Sequence, residues 1–244
     1  MMGQQPQEVL TAVAQEVFNR LARYQPLYRC WMDFTLWAAC QAGDQDIHQR
    51  ALQGHLLSDY PAATKQLFQS VYNELQSAIF ANPRQNAMLG LMIALGLDER
   101  DTYMGAELSA EVFLLERAQK QHGPKATLDN IQRTTIMDPD CAVNNGSSLI
   151  AIANVIMQTF PRNFQERILF AIPEASDGFS HYMAFVQLSM MGFSAYSAPR
   201  GTLAHDIFGE AIFAPKDAIC SPAFFSEFWE EARWEAFLKA NGIC

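Results

Sequence analysis

The sequence has few cysteines and histidines and no long apolar run. Its five cysteines are dispersed without a CxxC pair, which argues against a disulfide framework or a zinc site. The five histidines are equally scattered, so no metal site is expected. A transmembrane helix needs a run of about 18 apolar residues, and the sequence has no run of that length. No signal peptide is visible at the N-terminus. These absences predict a cytoplasmic protein with reduced thiols and no membrane association.

Basic residues are also sparse. The chain has 17 Lys and Arg against 26 Asp and Glu, which gives a formal net charge of −9. Because phosphate neutralisation supplies most of the affinity for duplex DNA, this chain is expected to bind DNA only with a partner. Half of its 244 residues are hydrophobic, so a globular protein with a sizeable core is predicted.

Two regions differ in their hydrophobic pattern. Residues 1–100 repeat apolar residues at three- and four-residue spacing, which predicts a helical region. Its aromatic helix, 27–42, is expected to face a helical core, and a base-stacking platform is the alternative. Residues 101–244 alternate strands and helices, which predicts a parallel sheet. The predicted strands are 134–137, 168–172, 193–197 and 209–213, and the predicted helices are 8–24, 27–42, 44–56, 59–80, 84–95, 109–121, 147–160, 177–191 and 222–240.

The segment from Thr134 to Ile150 carries the strongest functional signal. It reads as a β-branched strand, an Asp-Pro turn, a polar loop and an apolar helix that begins near Ser147. At the nucleotide end of a Rossmann-like sheet, such a loop approaches a cofactor with its backbone, and the helix N-terminus supplies positive potential. A βα turn without any ligand has the same pattern and remains an alternative.

The spelling of this loop, Asp138-Pro139-x-Cys141, resembles the Asp-Pro-x-Cys-Gly-Ser-Gly loop of the N6-adenine DNA methyltransferases. The resemblance is to the modification subunits of type I restriction systems and their plasmid-borne relatives. It extends to the helix spelled HYMAFVQLSMMG at 181–192 and covers most of the chain. It implies an α/β fold in which a Rossmann-like methyltransferase sheet, within 101–244, is preceded by an N-terminal helical region, 1–100.

By this resemblance, S-adenosylmethionine would lie at the carboxyl end of the sheet. Glu174, after the second strand, would accept hydrogen bonds from the ribose of the cofactor, or it is simply an exposed acid at a strand end. The remaining positions that the resemblance places at the cofactor are Gly105, Asp138, Pro139, Cys141, Ala142 and Asn144.

Departures from the family predict that cofactor binding is weak or lost. Where the family has Gly-Ser-Gly-Gly, this chain has Ala142, Val143, Asn144 and Asn145. Valine is poor at positive φ and adds bulk at the closest approach, whereas asparagine tolerates left-handed backbone, so the turn can still form. Upstream, the family has Gly-Gln-Phe-Phe-Thr-Pro, of which this chain keeps only Gly105.

The catalytic tetrapeptide of the family, Asn-Pro-Pro-aromatic, is missing from the sequence. Its place is taken by Ala214, Pro215, Lys216 and Asp217. In the family, the amide and a proline carbonyl accept hydrogen bonds from the adenine amino group, and the aromatic ring stacks on the extruded base. The resemblance therefore implies a degenerate member that has lost catalysis.

Such a protein is expected to act by binding a protein partner and to modulate restriction or defence on a plasmid or phage, an analogy from the family. One alternative is an active S-adenosylmethionine-dependent adenine methyltransferase, or a scaffold subunit of one. Another is a structural assembly factor that docks through its aromatic C-terminal helix.

Overall fold

The computed structural model describes residues 5–44, 56–98, 106–137, 145–198, 214 and 217–241. Its helices are α1 (Pro6–Leu21), α2 (Leu27–Ala42), α3 (Thr64–Ala81), α4 (Ala87–Ala94), α5 (Ala106–His122), α6 (Ser147–Thr159), α7 (Ser180–Met190) and α8 (Glu227–Ala240). Short 3₁₀ helices are Leu57–Asp59, Leu128–Asn130, Phe164–Glu166 and Pro222–Phe225. The strands are β1 (Thr134–Met137), β2 (Ile168–Pro173), β3 (Ser194–Ala198) and β4 (Ile219–Cys220). The fold is mixed α/β, as predicted.

The strands form one sheet in the order β1-β2-β3-β4. β1 pairs with β2 in parallel, with Thr134 opposite Ile168, and β2 pairs with β3 in parallel. The predicted strands 134–137 and 168–172 are therefore adjacent, as expected, and β3 is shifted by one residue from the predicted 193–197. The predicted strand 209–213 lies outside the described residues.

The three predicted strands that the structure describes pair in parallel, as expected, but the sheet is mixed, because an additional strand that was not predicted, β4, runs antiparallel to β3. β4 has only two residues, too few to give a hydrophobic period. Its position depends on Ser221, whose Oγ accepts from the N–H of Ala195 at 2.9 Å and donates to the carbonyl of Phe193 at 3.0 Å. These are contacts between segments distant in sequence, which no local pattern predicts.

The first face of the sheet shares one apolar core with the N-terminal helices. Helices α2, α3 and α4 all pack directly on α7, which covers this face together with α6. In α2, Trp31, Phe34 and Trp37 are fully buried, and the Phe34 ring meets Phe68 of α3 edge-on at 5.4 Å. The prediction that this aromatic helix faces a core is confirmed, since these rings expose no face to a base.

The second face of the sheet is covered by the C-terminal segment. Alternate residues of β2 face opposite sides: Phe170 lies in the first core, and Leu169 and Ala171 lie in the second. Trp229 of α8 is buried against this second face, and its Nε1 donates to the carbonyl of Gln165 at 3.0 Å. Burial on both faces explains why β2 reads as a continuous apolar run.

Helix boundaries differ from the prediction at two informative places. α5 begins at Ala106, three residues before the predicted start at 109, so Ser109 lies inside the helix. α7 begins at Ser180 instead of 177, because the Asp177 carboxylate accepts from the N–H groups of Phe179 and Ser180, both at 3.0 Å. No helix among the described residues is long and apolar enough to cross a membrane.

Candidate carboxyl-edge site

The carboxyl edge of β1 and β2 brings together two of the predicted elements. Because these strands are parallel and Met137 lies opposite Ala171, the end of β1 and Glu174 after β2 lie at the same edge of the sheet. Glu174 is exposed there, and its N–H donates to the carbonyl of Ala198 at 2.9 Å. The other predicted cofactor positions lie outside the described residues: Gly105, Asp138, Pro139, Cys141, Ala142 and Asn144.

Asn145, the last residue of this loop, anchors a buried polar network. It is 1% exposed and has a left-handed backbone with φ of 50°, as predicted for an asparagine here. Its Nδ2 donates to the carboxylate of Asp98 at 2.6 Å, and its Oδ1 accepts from Ser180 Oγ at 2.9 Å. Both ends of this amide are therefore engaged, and the start of α6 is tied to α7 and to the end of the N-terminal helical region.

Asn86, the N-cap residue of α4, extends this network from the other side. Its Oδ1 accepts from the N–H of Leu89 at 3.0 Å, and its Nδ2 donates to Ser147 Oγ at 3.3 Å. Asn86, Asp98 and Ser180 were not among the predicted site residues. Asn86 follows an Asn-Pro turn and carries an N-cap signal, but its contact with α6 spans 61 positions and has no signature in the sequence.

Gly146 follows Asn145 and serves packing. Its φ is +75°, and a Cβ added there would lie 2.6 Å from the Cβ of Ala184 in α7. Atoms at that distance overlap, so only glycine permits the observed approach of α6 to α7. This glycine stands later in the loop than the glycines of the methyltransferase family, and helix packing explains its presence.

We expect Gly146→Ala to lower the free energy of unfolding by about 2–3 kcal/mol, since it combines backbone strain with overlap against Ala184. The matched control is Gly96→Ala, at φ +70° with open space around the added Cβ. The control should cost about 1 kcal/mol, from backbone strain alone. Chemical denaturation of both variants measures the difference, and equal losses would contradict the packing role.

His181, the second residue of α7, is buried at the same edge and acts as a hydrogen-bond acceptor. Its Nδ1 accepts from the N–H of Ala175 at 3.2 Å, which places the ring proton on Nε2. Burial lowers the pKa of His181 to about 4, and the nearby charges of Glu174 and Asp177 only partly oppose this shift. The ring is therefore neutral at pH 7 and holds the segment after β2 against α7.

The lowered pKa of His181 predicts that stability falls in acid. Between the ordinary value of 6.5 and the folded value of about 4, the unfolded chain binds more protons than the folded one. The contribution is therefore complete above pH 6.5 and lost as the pH falls towards 4, by roughly 2–3 kcal/mol. His181→Asn keeps an acceptor but cannot titrate, so it should flatten this part of the pH profile. Parallel profiles of the wild type and the variant, measured by urea unfolding, would refute the assignment.

Two of the four positions predicted to replace the catalytic tetrapeptide, Ala214 and Asp217, are described, and both precede β4. Ile219 at the start of antiparallel β4 lies opposite Ser197, so the residues just before β4 lie where β3 ends. Ala214 is partly buried and packs against the apolar cluster of the second face, while Asp217 is exposed in a turn. Pro215 and Lys216 lie outside the described residues. The methyl group of Ala214 cannot accept a hydrogen bond.

Within the ranges described above, no cluster of His, Cys, Asp or Glu is suited to hold a metal ion. Comparison of the chain with protein-family models, with curated proteins and with solved structures finds no match.

Proposed function

We propose that this protein is a catalytically degenerate N6-adenine DNA methyltransferase-like protein with a Rossmann-like sheet, and that it acts by binding a protein partner. The observation that carries the proposal is the carboxyl edge. Parallel β1 and β2 end at one edge of the sheet, where Glu174 follows β2 and where the chain continues from β1 into the sequence Asp138-Pro139-x-Cys141. In nucleotide-binding α/β proteins, this is where the ligand lies.

Loss of catalysis is supported by the surroundings of Ala214. Methyl transfer to adenine needs acceptors for the exocyclic amine and a ring to stack on the extruded base. Ala214 offers neither, and it packs against the apolar cluster behind β2 and β3. Asp217 adds an exposed carboxylate, which repels the phosphates of DNA.

Weak or lost S-adenosylmethionine binding is supported by the end of the loop. A cofactor that lies against the loop backbone needs open space beside it. Asn145 and Gly146 leave no such space, because both are packed against other residues. The Asn145 amide is held between Asp98 and Ser180, and Gly146 lies against Ala184. Any remaining cofactor binding would depend on Glu174 and on the part of the loop before Asn145.

A protein partner is supported by an exposed aromatic pair on α8. Trp234 and Phe237 are 61% and 47% exposed, and their rings stack with centroids 5.6 Å apart and planes 19° from parallel. The opposite side of α8 buries Trp229 and Ala232. Exposed aromatic residues next to each other are typical of protein interfaces. With a net charge of −9, a protein surface is a better partner for this chain than bare DNA.

The proposed setting is the cytoplasm of a cell with a type I restriction system, where the protein would modulate restriction. The test is the transformation efficiency of unmodified and modified plasmid in such a host, with and without the protein. We expect its expression to change the ratio of the two efficiencies. Trp234→Ala with Phe237→Ala should abolish the change, whereas Tyr24→Ala, an equally exposed aromatic elsewhere, should not. An unchanged ratio with the wild type would overturn the proposal.

A further inference from the structure

A cavity of about 350 Å³ lies at the amino edge of the sheet, opposite the site discussed above. We propose that it binds a small organic phosphate, held by two arginines. This site is independent of the proposed function. Its lining residues are Gln132, Arg133, Asn163, Glu166, Arg167 and Phe228.

The parallel register of the sheet brings the two arginines together. Arg133 immediately precedes β1 and Arg167 immediately precedes β2, and Thr134 lies opposite Ile168. The N–H of Thr134 donates to the carbonyl of Arg167 at 3.0 Å, which fixes this alignment. Two guanidinium groups, distant in sequence, therefore line one cavity.

Arg167 is held rigidly. Its guanidinium lies 4.2 Å over the ring of Phe160, and its Nη1 donates to the carbonyl of Ile131 at 3.1 Å. Its Nε is buried and has no hydrogen-bond partner among the described residues. The stacking on Phe160 and the hydrogen bond to Ile131 fix the guanidinium at the wall of the cavity, which Arg167 lines.

Arg133 is held in a strained backbone conformation and paired only weakly. Its φ is +48°, unusual for a residue with a side chain, and such conformations concentrate at ligand-binding positions. Its guanidinium lies 4.9 Å over the ring of Phe228 and forms an ion pair with Glu235. The Glu235 side chain is 64% exposed, and exposed pairs contribute little to stability. A ligand oxyanion can therefore displace Glu235 from Arg133.

The chemistry of the lining favours a phosphate group carried on a small organic body. Guanidinium groups match phosphate oxygens in charge and geometry, and the amides of Gln132 and Asn163 add donors. Once Glu235 is displaced, the two positive charges of the arginines exceed the single negative charge of Glu166, so the lining has a net positive charge. The volume of the cavity lies within the range of about 300–1,000 Å³ that is typical of small-molecule sites, so the cavity can hold more than a phosphate group. Phe228 supplies an apolar wall.

Isothermal titration calorimetry of the full chain tests the proposal with phenyl phosphate, inorganic phosphate and benzoate. We expect phenyl phosphate to bind more tightly than either of the others. Arg167→Gln and Arg133→Gln should each weaken binding by about tenfold or more. Lys65→Gln, which removes an exposed cation on α3, should leave the affinity unchanged. Glu235→Gln should tighten binding a few-fold, because it removes the carboxylate that competes for Arg133.

Several results would overturn the proposal. The first is the lack of a binding heat with phenyl phosphate up to about 10 mM, since a specific small-molecule site should be at least that strong. Benzoate or inorganic phosphate binding as tightly as phenyl phosphate would exclude the organic phosphate class. Glu235→Gln changes only an exposed side chain, so it remains informative if an arginine variant is unstable. Unchanged or weaker binding by this variant would show that Arg133 does not bind the phosphate.

Discussion

Purified protein, incubated with tritium-labelled S-adenosylmethionine and mixed-sequence duplex DNA, is expected to transfer no label to adenine. By the proposed resemblance to the N6-adenine methyltransferases, Ala214, Pro215, Lys216 and Asp217 take the place of the Asn-Pro-Pro-aromatic segment. Loss of one oriented hydrogen-bonding group typically lowers a rate by about two to three orders of magnitude, roughly 3–4 kcal/mol, and here the amide and the stacking ring are both missing. Ala214 itself packs against an apolar cluster, and its methyl group cannot accept a hydrogen bond.

The same assay separates the alternatives when host cell extract is added. Incorporation by the protein alone would overturn the degenerate assignment in favour of an active methyltransferase. Incorporation only with extract would identify a scaffold subunit whose partner supplies the catalytic groups. In that case Glu174→Gln should lower the extract-dependent signal if this chain holds the ribose of the cofactor, whereas Glu166→Gln, an exposed acid at the opposite edge, should not.

Binding of S-adenosylmethionine is expected to be weaker than in an active methyltransferase by roughly a few hundredfold or more. By the resemblance to the methyltransferases, Ala142, Val143 and Asn144 replace small residues at the cofactor loop. Each backbone hydrogen bond lost to their added bulk would cost on the order of 1 kcal/mol. The structure adds a second reason, because Asn145 is held by Asp98 and Ser180 and cannot withdraw to make room. Calorimetry with the purified protein measures the affinity, and micromolar or tighter binding would refute this expectation.

Two double variants test whether loop bulk is the cause. Ala142→Gly with Asn144→Gly should improve S-adenosylmethionine binding. Ala22→Gly with Asn82→Gly makes the same two replacements at exposed helix ends in the N-terminal region, and should not improve binding. An unchanged affinity in the first pair would show that the steric explanation is wrong, even if the affinity of the wild type is low.

Local periodicity by itself determined most helices and the first three strands. In residues 27–42 the apolar side chains recur with a 3.6-residue period, and Trp31, Phe34 and Trp37 are buried, as expected for a helix that packs against a core. The runs that became β1 and β2 are short, β-branched or apolar, and bounded by turn residues, so their pairing followed from the strand–helix–strand order. The left-handed backbone of Asn145 was also predictable, since it depends on one residue type in a turn.

The tertiary structure alone decided the direction of β4, the role of Gly146 and the polar network around Asn145. Each depends on contacts between segments far apart in the chain. The direction of β4 depends on the hydrogen bonds of Ser221 to β3, and the role of Gly146 depends on its contact with Ala184. The meeting of Arg133 with Arg167 is of the same kind, because only the register of two parallel strands aligns them. Sequence patterns report the surroundings of neighbouring residues along a helix or strand. They do not report which distant side chain comes to lie opposite, because that is decided by how whole elements pack.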